Sequence, residues 1–277
     1  MSILPPASKP TATPLRACQA LLLAAGRGER MRPLTDQTPK PLLKVRGKPL
    51  MQWAMEGLQR GGVTDLVINT AWLGEQIPAH FGETFEVLDQ NPMRQNPMRL
   101  HYSQEGQDFG GALETAGGIV RALPALADVF WVAAGDVYAP YFVFSSDARA
   151  RFEASTALAH LWLVPNPPHN PAGDFGLSSQ GLALNLPKGN QTPSHAETAA
   201  GAEPRYTFST IALYKRAFFE SAWCDIAPGN PQGVKAALAP MLRAAMDQGR
   251  VSASLYEGAW TDVGTPERLA QLNQTAS

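Results

Sequence analysis

Short runs of apolar residues alternate along the chain with segments in which apolar residues recur every three or four positions. Buried strands are predicted for the runs at 20–25, 65–70, 100–103, 129–134, 157–164, 206–214 and 251–256. Helices are predicted from about Pro49, across 74–81, 115–126 and 234–246, and after Pro266. This alternation indicates βαβ units, and hence an α/β fold with helices flanking a Rossmann-like, mostly parallel sheet.

Local chemistry supports several of these helix boundaries. Pro49 suits the first position of a helix, and Gly61 and Gly62 suit the end of the helix that follows it. Thr115 is the predicted N-cap of the helix at 115–126, because a threonine hydroxyl can accept a hydrogen bond from a free backbone N–H group.

We found no linker that would divide the chain, so residues 18–277 are predicted to form a single domain. Residues 1–17 are rich in Pro, Thr and Ala and are predicted to be a disordered leader. Residues 90–99 repeat the unit QNPMR, which predicts an expanded surface loop, with a basic binding loop as the alternative. Residues 185–205 are polar and rich in Pro, Gly, Thr and Ala, and predict a mobile excursion.

Composition and charge exclude several classes of protein. The 277 residues are 44% hydrophobic and 17% charged, which excludes a disordered chain. The formal net charge of −1 predicts neither a nucleic-acid partner nor an anionic membrane as a partner. Two cysteines, Cys18 and Cys224, are too few for a disulfide framework or a four-thiolate zinc site, and indicate a reducing compartment. Because the start resembles no signal peptide and no apolar run could span a bilayer, we expect a cytoplasmic protein.

The most informative segment follows the first predicted strand. The chain reads LLLAAGRGERMRPL and then TPKPLL, with Gly26 and Gly28 at the strand end. Glycines allow close approach of a ligand to the backbone, and consecutive N–H groups in such a turn can bind an anion. Basic side chains surround it: Arg27, Arg30, Arg32 and Lys40. The pattern therefore predicts a phosphate site, with a tight turn on a solvated basic face as the alternative.

Two familiar phosphate motifs do not fit this segment. In the dinucleotide-binding fingerprint a third glycine stands where this chain has Met31, and a helix follows directly. The Walker A loop ends in GKS or GKT, which is absent here.

Two aspartates are candidate metal ligands. Asp136 follows a buried strand at its carboxyl end, and Asp262 lies in a glycine-flanked turn after Trp260. Two carboxylates could hold Mg²⁺ together with phosphate oxygens and waters. The alternative is that each aspartate only caps a turn.

A helix start could recognise a nucleobase. Gly117 could let a flat base approach the backbone, with Gln104 or Glu105 contacting the edge of that base. The alternative for this segment, which includes Glu114, is ordinary helix-start chemistry. Asn69 could contact a sugar or could act as a cap.

Taken together, these motifs resemble those of the sugar-1-phosphate nucleotidyltransferases. The resemblance includes LAAGRGERMRPLT, TPKPLL, YSQEG, LETAGGI, AGDVY, GDFGL and WTDVGTPERL, in the order expected, and covers almost the whole chain. INTAWLGEQI, and GDF followed by FS, resemble more narrowly the N-acetylmuramate-1-phosphate uridylyltransferase branch, which serves cell-wall sugar recycling. The resemblance implies a GT-A-like fold, Mg²⁺ as cofactor, and a nucleoside triphosphate and a sugar 1-phosphate as small-molecule partners.

The family resemblance also implies roles for individual residues. Lys40 and Arg30 are the implied catalytic residues, and Asp136 and Asp262 the implied metal ligands. The implied nucleotide site is Ala24, Ala25, Gly26, Gly28, Glu29, Arg30, Lys40, Glu105 and Gly117. The implied sugar site is Asn69, Asp174 and Asp262.

This chain departs from the branch pattern at two positions. Ala134 stands where the branch has Asn before the GD pair, and Ala116 stands where it has the first of three glycines. UTP and N-acetylmuramate 1-phosphate are the expected substrates. The alternatives are a mannose-1-phosphate guanylyltransferase, a glucose-1-phosphate thymidylyl- or uridylyltransferase, or a non-catalytic nucleotide-sugar-binding subunit. A GT-A glycosyltransferase is a further alternative, but that function would not explain the GRGER and PKP motifs. The sequence leaves the oligomeric state open.

Overall fold

The computed structural model describes residues 18–87, 97–187 and 204–274. The predicted leader, most of the QNPMR repeat and most of the predicted excursion at 185–205 lie outside these ranges. Within them, no helix is long and apolar enough to cross a membrane.

Strands and helices alternate through the first half of the chain. The strands are β1 (Cys18–Ala24), β2 (Lys44–Val45), β3 (Lys48–Pro49), β4 (Asp65–Thr70), β5 (Thr84–Phe85), β6 (Met98–Gln104), β7 (Leu126–Ala134), β8 (Val137–Tyr138), β9 (Ala159–Val164), β10 (Phe175–Leu177), β11 (Ala183–Leu184), β12 (Arg205–Lys215), β13 (Val251–Leu255) and β14 (Thr261–Asp262). The helices are α1 (Leu50–Arg60), α2 (Gln76–Phe81), α3 (Glu105–Phe109), α4 (Glu114–Ala122), α5 (Ser146–Ala154), α6 (Leu238–Met246) and α7 (Pro266–Gln274).

One mixed sheet forms the centre of the domain. Its main path runs β11-β10-β12-β7-β1-β4-β6-β5, and β9 joins it on β12 and carries β13. The central strands β7, β1, β4 and β6 are parallel, whereas β12 is antiparallel to β7, β9 and β10. The expected α/β fold is confirmed. The carboxyl ends of β1, β4, β6 and β7 therefore meet at one edge, where open α/β sheets place their ligand sites.

The apolar runs of the central strands are explained by burial on both faces of the sheet. In β1, Leu21 belongs to the hydrophobic cluster on the face covered by α4 and α6, whereas Leu22 belongs to the cluster on the face covered by α1. Both side chains are fully buried. Because successive side chains of a strand point to opposite faces, a central parallel strand needs apolar residues at every position.

A third, smaller cluster holds the loops at the carboxyl edge. Met31, Leu50, Tyr138 and Val263 are buried together, and Leu269 of α7 packs on them. The predicted phosphate loop, the start of α1, the β8–β14 pair and α7 are thus fixed to one another. This packing explains why an apolar Met31 stands where the dinucleotide fingerprint has a glycine.

Several predicted boundaries are wrong for identifiable reasons. Helix α4 begins at Glu114 after Leu113, and Thr115 is inside it and caps nothing. Helix α6 begins at Leu238 and not at 234, because Ala236 uses its N–H and carbonyl groups to pair with Leu113 and Gly117.

The predicted loop at 90–99 ends earlier than expected. Met98 and Arg99 belong to β6, where Met98 is fully buried and Arg99 pairs with Asp65 of the neighbouring strand. The predicted excursion at 185–205 likewise ends in a strand residue, Arg205.

Candidate active site

A cavity of about 670 Å³ opens at the carboxyl edge of the central strands. Eight of the predicted site residues line it: Ala24, Ala25, Gly26, Lys40, Asn69, Glu105, Asp136 and Asp174. Gly28, Glu29, Arg30, Gly117 and Asp262 are not among its lining residues. The structure therefore brings most of the predicted nucleotide and sugar sites to one place.

The loop after β1 is built so that one lysine can reach this cavity. Gly28 has a positive φ of 67°, and a Cβ built on it would lie 3.1 Å from the Cβ of Lys40. Gly28 therefore lets the Lys40 stem pack closely, and Thr35 holds the turn by donating its hydroxyl to the Gly28 carbonyl. Gly26 faces open space on the cavity wall, so its backbone is accessible to a ligand.

The other basic side chains of the loop are directed elsewhere. Arg27 stacks over Trp72, with its guanidinium carbon 3.9 Å from the ring centroid, and Arg32 pairs with Asp36 at 2.8 Å. Arg30 is exposed and makes no hydrogen bond or ion pair with any residue that the structure describes. Only Lys40, at 8% exposure, combines burial with a place on the cavity wall.

The first candidate metal ligand faces that lysine. The Lys40 Nζ lies 2.5 Å from Asp136 Oδ2 across the cavity wall. An ammonium group is a compact charge with three donors, so it can exchange this carboxylate for a phosphate oxygen.

The second candidate ligand lies on the neighbouring strand. The N–H group of Val263 donates to the Asp136 carbonyl, and Asp262 pairs with Val137. Arg268 holds the Asp262 carboxylate at 2.5 Å and His169 Nε2 lies 2.7 Å from it. His169 and Arg268 were not predicted as neighbours of this site.

The residues present fit Mg²⁺. Hard cations prefer carboxylate oxygens, and Mg²⁺ in phosphate-transfer sites typically uses one or two of them. Here Asp136 and Asp262 come from two adjacent, paired segments, and each carboxylate is paired with a basic side chain, Lys40 and Arg268 respectively. No cluster of three or more candidate metal ligands occurs in the described ranges, so substrate oxygens would have to complete the coordination.

Asn69 has a structural role in addition to its place on the cavity wall. Its Oδ1 accepts from the Ala24 N–H at 2.8 Å, and its Nδ2 donates to Glu105 Oε1 at 2.7 Å. Glu105 is fully buried, its second oxygen accepts from the Leu113 N–H, and burial raises the pKa of its carboxyl group. Asn69 and Glu105 thus join the ends of β1, β4 and α4 beneath the cavity.

The structure gives a different reason for glycine at position 117. A Cβ on Gly117 would lie 2.5 Å from the Val234 carbonyl oxygen, and the Gly117 N–H donates to the Ala236 carbonyl. The glycine therefore accommodates the chain before α6, and the expectation that it makes room for a base is not supported. Gly118, which was not predicted, accommodates the contact between Asn69 and Glu105, because a Cβ there would lie 2.6 Å from Glu105 Oε1.

The other end of the cavity is formed by Asp174 and its neighbours. Asp174 Oδ2 accepts from the Phe208 N–H at 2.9 Å, and Asn170 donates to Oδ1 at 3.3 Å. Arg205 fixes the same turn by donating to the carbonyl groups of Gly173 and Asp174. These contacts fix the Asp174 carboxylate on the cavity wall, and each of its oxygens accepts one hydrogen bond from the protein.

Sequence reasoning missed several cavity residues. They include Thr210, Tyr214 and Arg243. The signal for Arg243 was a basic residue within the amphipathic helix α6, but its direction depends on how that helix packs. The two positions at which this chain departs from the branch pattern lie in different places. Ala134 lines the cavity, whereas Ala116 is fully buried and does not line it.

Comparison with known proteins identifies the family of this chain. The family model described as nucleotidyl transferase matches residues 19–277. The chain belongs to the nucleotidyl transferase family. The resemblance seen in the motifs is therefore confirmed at the level of the family.

Individual relatives are similar over most of their length. An N-acetylmuramate alpha-1-phosphate uridylyltransferase of Neisseria meningitidis serogroup B is 42% identical, over 93% of this chain and 98% of that protein. A protein of the same name from Caulobacter vibrioides is 29% identical, over 81% of this chain and 97% of that protein. The solved structure of HddC from Yersinia pseudotuberculosis aligns with 94% of this chain over 100% of its own length. The two share the same fold, with a TM-score of 0.64 at 17% sequence identity.

Proposed function

We propose that this protein transfers a uridylyl group from UTP to N-acetylmuramate 1-phosphate and releases pyrophosphate. The observation that carries the proposal is the pairing of buried Lys40 with Asp136 beside the open backbone of Gly26, in a cavity lined by the family motifs. The N. meningitidis relative supports the choice of substrates.

The proposed reaction needs no general base. A phosphate monoester with a second pKa of about 6 is mostly dianionic at neutral pH, so its oxygen can attack directly. That oxygen forms a bond to the α-phosphorus of UTP, and the bond from the α-phosphorus to the bridging oxygen breaks. Pyrophosphate leaves with the electron pair, and no proton has to move.

The protein contributes position and positive charge. Lys40 would donate to the α-phosphoryl oxygens, where negative charge accumulates in the transition state. The backbone at Gly26 would bind the triphosphate. Arg30 does not line the cavity, so its side chain would have to turn towards the outer phosphates to neutralise their charge. Asp136 and Asp262 would hold Mg²⁺, which when bound screens the repulsion between the reacting phosphates.

Glu105 and Asp174 are the proposed neighbours of the base and of the sugar. Each oxygen of Glu105 already accepts one hydrogen bond, so a base would meet it as part of a fixed wall. Asp174 would accept from a hydroxyl group of the sugar. We further propose that the protein works in the cytoplasm, where such a reaction would return a cell-wall sugar to its nucleotide-activated form.

The decisive experiment is a grid of four nucleoside triphosphates against several sugar 1-phosphates, scored by pyrophosphate release. We expect UTP with N-acetylmuramate 1-phosphate to give the highest kcat/KM. A purine nucleotide ahead by tenfold would indicate a guanylyltransferase, and glucose 1-phosphate ahead of the muramyl substrate would refute the acceptor. No release in any combination would favour a non-catalytic nucleotide-sugar-binding subunit.

Metal dependence requires its own experiment. Excess chelator should abolish turnover, and Asp136→Ala and Asp262→Ala should each weaken the response to added Mg²⁺. Their effects should be less than additive if both serve one ion. Full activity in chelator would rule out the metal role of both aspartates.

A further inference from the structure

The acceptor end of the cavity contains a cation to which the proposed reaction has so far given no role. Arg243 of α6 lines the cavity together with Asp174 and Phe175, and its guanidinium carbon lies 5.1 Å from the centroid of the Phe175 ring. We propose that Arg243 binds the carboxylate of an acidic acceptor sugar. Arg243 would thereby select this sugar over one that has the same ring but no carboxylate. This inference rests on the proposed function.

Arg243 is held in place but keeps most of its donors. Its Nη1 donates to Asn185 Oδ1 at 2.8 Å, and Asn185 in turn donates to Asp247, the residue that follows α6. Among the residues that the structure describes, Arg243 has no carboxylate partner. A guanidinium has five N–H donors in a planar fork, so an anchored Arg243 can still bind a carboxylate through two of them.

The charges around this end of the cavity also favour an anion. Arg205 lies close enough that burial and the charge of Arg243 together lower its pKa, whereas Asp174 opposes that shift. Arg243 and Asp174 thus bring opposite charges to the cavity wall, and Arg205 adds a positive charge beside the Asp174 carbonyl group. The Asp247 carboxylate is bound by Asn185. Arg205 already donates to backbone carbonyl groups on both sides of it, including those of Ala172 and Leu186, so Arg243 is the cation with donors to spare.

The chemistry of the acceptor matches this arrangement. N-acetylmuramate carries a lactyl carboxylate that N-acetylglucosamine lacks, while both share the phosphate that reacts near Lys40. A guanidinium on the sugar side, away from the reacting phosphate, would affect binding of the acid without changing the bond-forming step. Loss of a charge-assisted hydrogen bond of this kind typically weakens binding by about tenfold or more.

The test compares three acceptors on four proteins with UTP. The acceptors are N-acetylmuramate 1-phosphate, its lactyl carboxamide and N-acetylglucosamine 1-phosphate, and the proteins are wild type, Arg243→Gln, Arg243→Lys and the control Arg151→Gln. Arg151 lies on α5, is exposed and is not among the residues that line the cavity, so its variant removes the same charge at a distance.

We expect Arg243→Gln to raise KM for the acid by about tenfold or more. KM for the two neutral acceptors and kcat for all three should change less than about twofold. Arg243→Lys should restore part of the preference, because it keeps the charge without the fork. Wild type itself should prefer the acid to its carboxamide, a comparison that depends on no variant.

The outcomes separate the two proposals. If wild type uses the acid and Arg243→Gln weakens all three acceptors equally, or none of them, Arg243 is not the carboxylate-binding residue and the proposed reaction stands. If wild type shows no preference for the acid over the carboxamide, the inference also fails. If wild type does not use the acid at all, the proposed acceptor is wrong and the inference fails with it.

Discussion

The Asn69 side chain links β4 to the end of β1 and to Glu105 beneath the cavity, and its removal should destabilise the whole domain. The change Asn69→Ala deletes the acceptor of the Ala24 N–H and one of the two donors to the Glu105 carboxylate. Ala24 is 3% exposed and Glu105 is fully buried, so in the folded protein water can reach these groups only from the cavity that they line. A buried group that loses its partner costs about 1–3 kcal/mol, and a charged one about 1.5–3 kcal/mol.

The loss of both hydrogen bonds is predicted to lower the free energy of unfolding by about 3–5 kcal/mol. In a domain of this size that corresponds to a fall in melting temperature of about 10 °C. The measurement is thermal and urea unfolding of wild type and variant, followed by circular dichroism. Turnover measured well below the melting temperature should also fall, because the end of β1 carries Gly26.

Asn273→Ala is the matched control for this prediction. Asn273 also makes two hydrogen bonds through its amide, to the Arg46 N–H and the Lys44 carbonyl, but it is exposed on α7. Its loss should cost less than about 1 kcal/mol because water can replace both partners. If Asn69→Ala melts within about 2 °C of wild type, or no lower than the Asn273 variant, the structural role assigned to Asn69 is refuted.

Three further predictions concern catalysis, specificity and pH. Lys40→Ala should lower kcat by about 100-fold when it is assayed well below its melting temperature, and near-normal turnover would contradict its role at the phosphoryl group. Ala134→Asn should raise the preference for N-acetylmuramate 1-phosphate over N-acetylglucosamine 1-phosphate by about two- to tenfold, the value of one hydrogen bond, and an unchanged ratio of kcat/KM would refute it. Burial lowers the pKa of His160 from 6.5 to about 4, with Arg151 adding to the shift. The His160 ring therefore takes up a proton at a higher pH in the unfolded chain than in the folded protein. For this reason the free energy of unfolding of wild type should decrease as pH falls from 6.5 to about 4. In His160→Gln, urea midpoints at pH 7 and 4.5 should lie closer together, and an equal fall in both proteins would exclude His160 as the cause.

The fold and the position of the site could be predicted from local signals. An apolar run such as 65–70 becomes a strand wherever it is buried on both faces, and its bounds, Asp65–Thr70, were predicted correctly. Gly26, Lys40 and Asp136 lie on the cavity wall as expected, because the carboxyl ends of parallel strands meet at one edge. The family followed from the same segments, since its motifs are short and continuous.

Contacts between distant parts of the chain decided the rest. Gly117 faces the Val234 carbonyl, although the sequence suggested that it faces a base. Asn69 is bound to Ala24 and Glu105, and the direction of Arg243 depends on the packing of α6. Each of these contacts joins residues more than 30 positions apart. A local sequence pattern shows whether a residue is polar, small or apolar. Which residue it contacts or hydrogen-bonds is determined only when the helices and strands pack together.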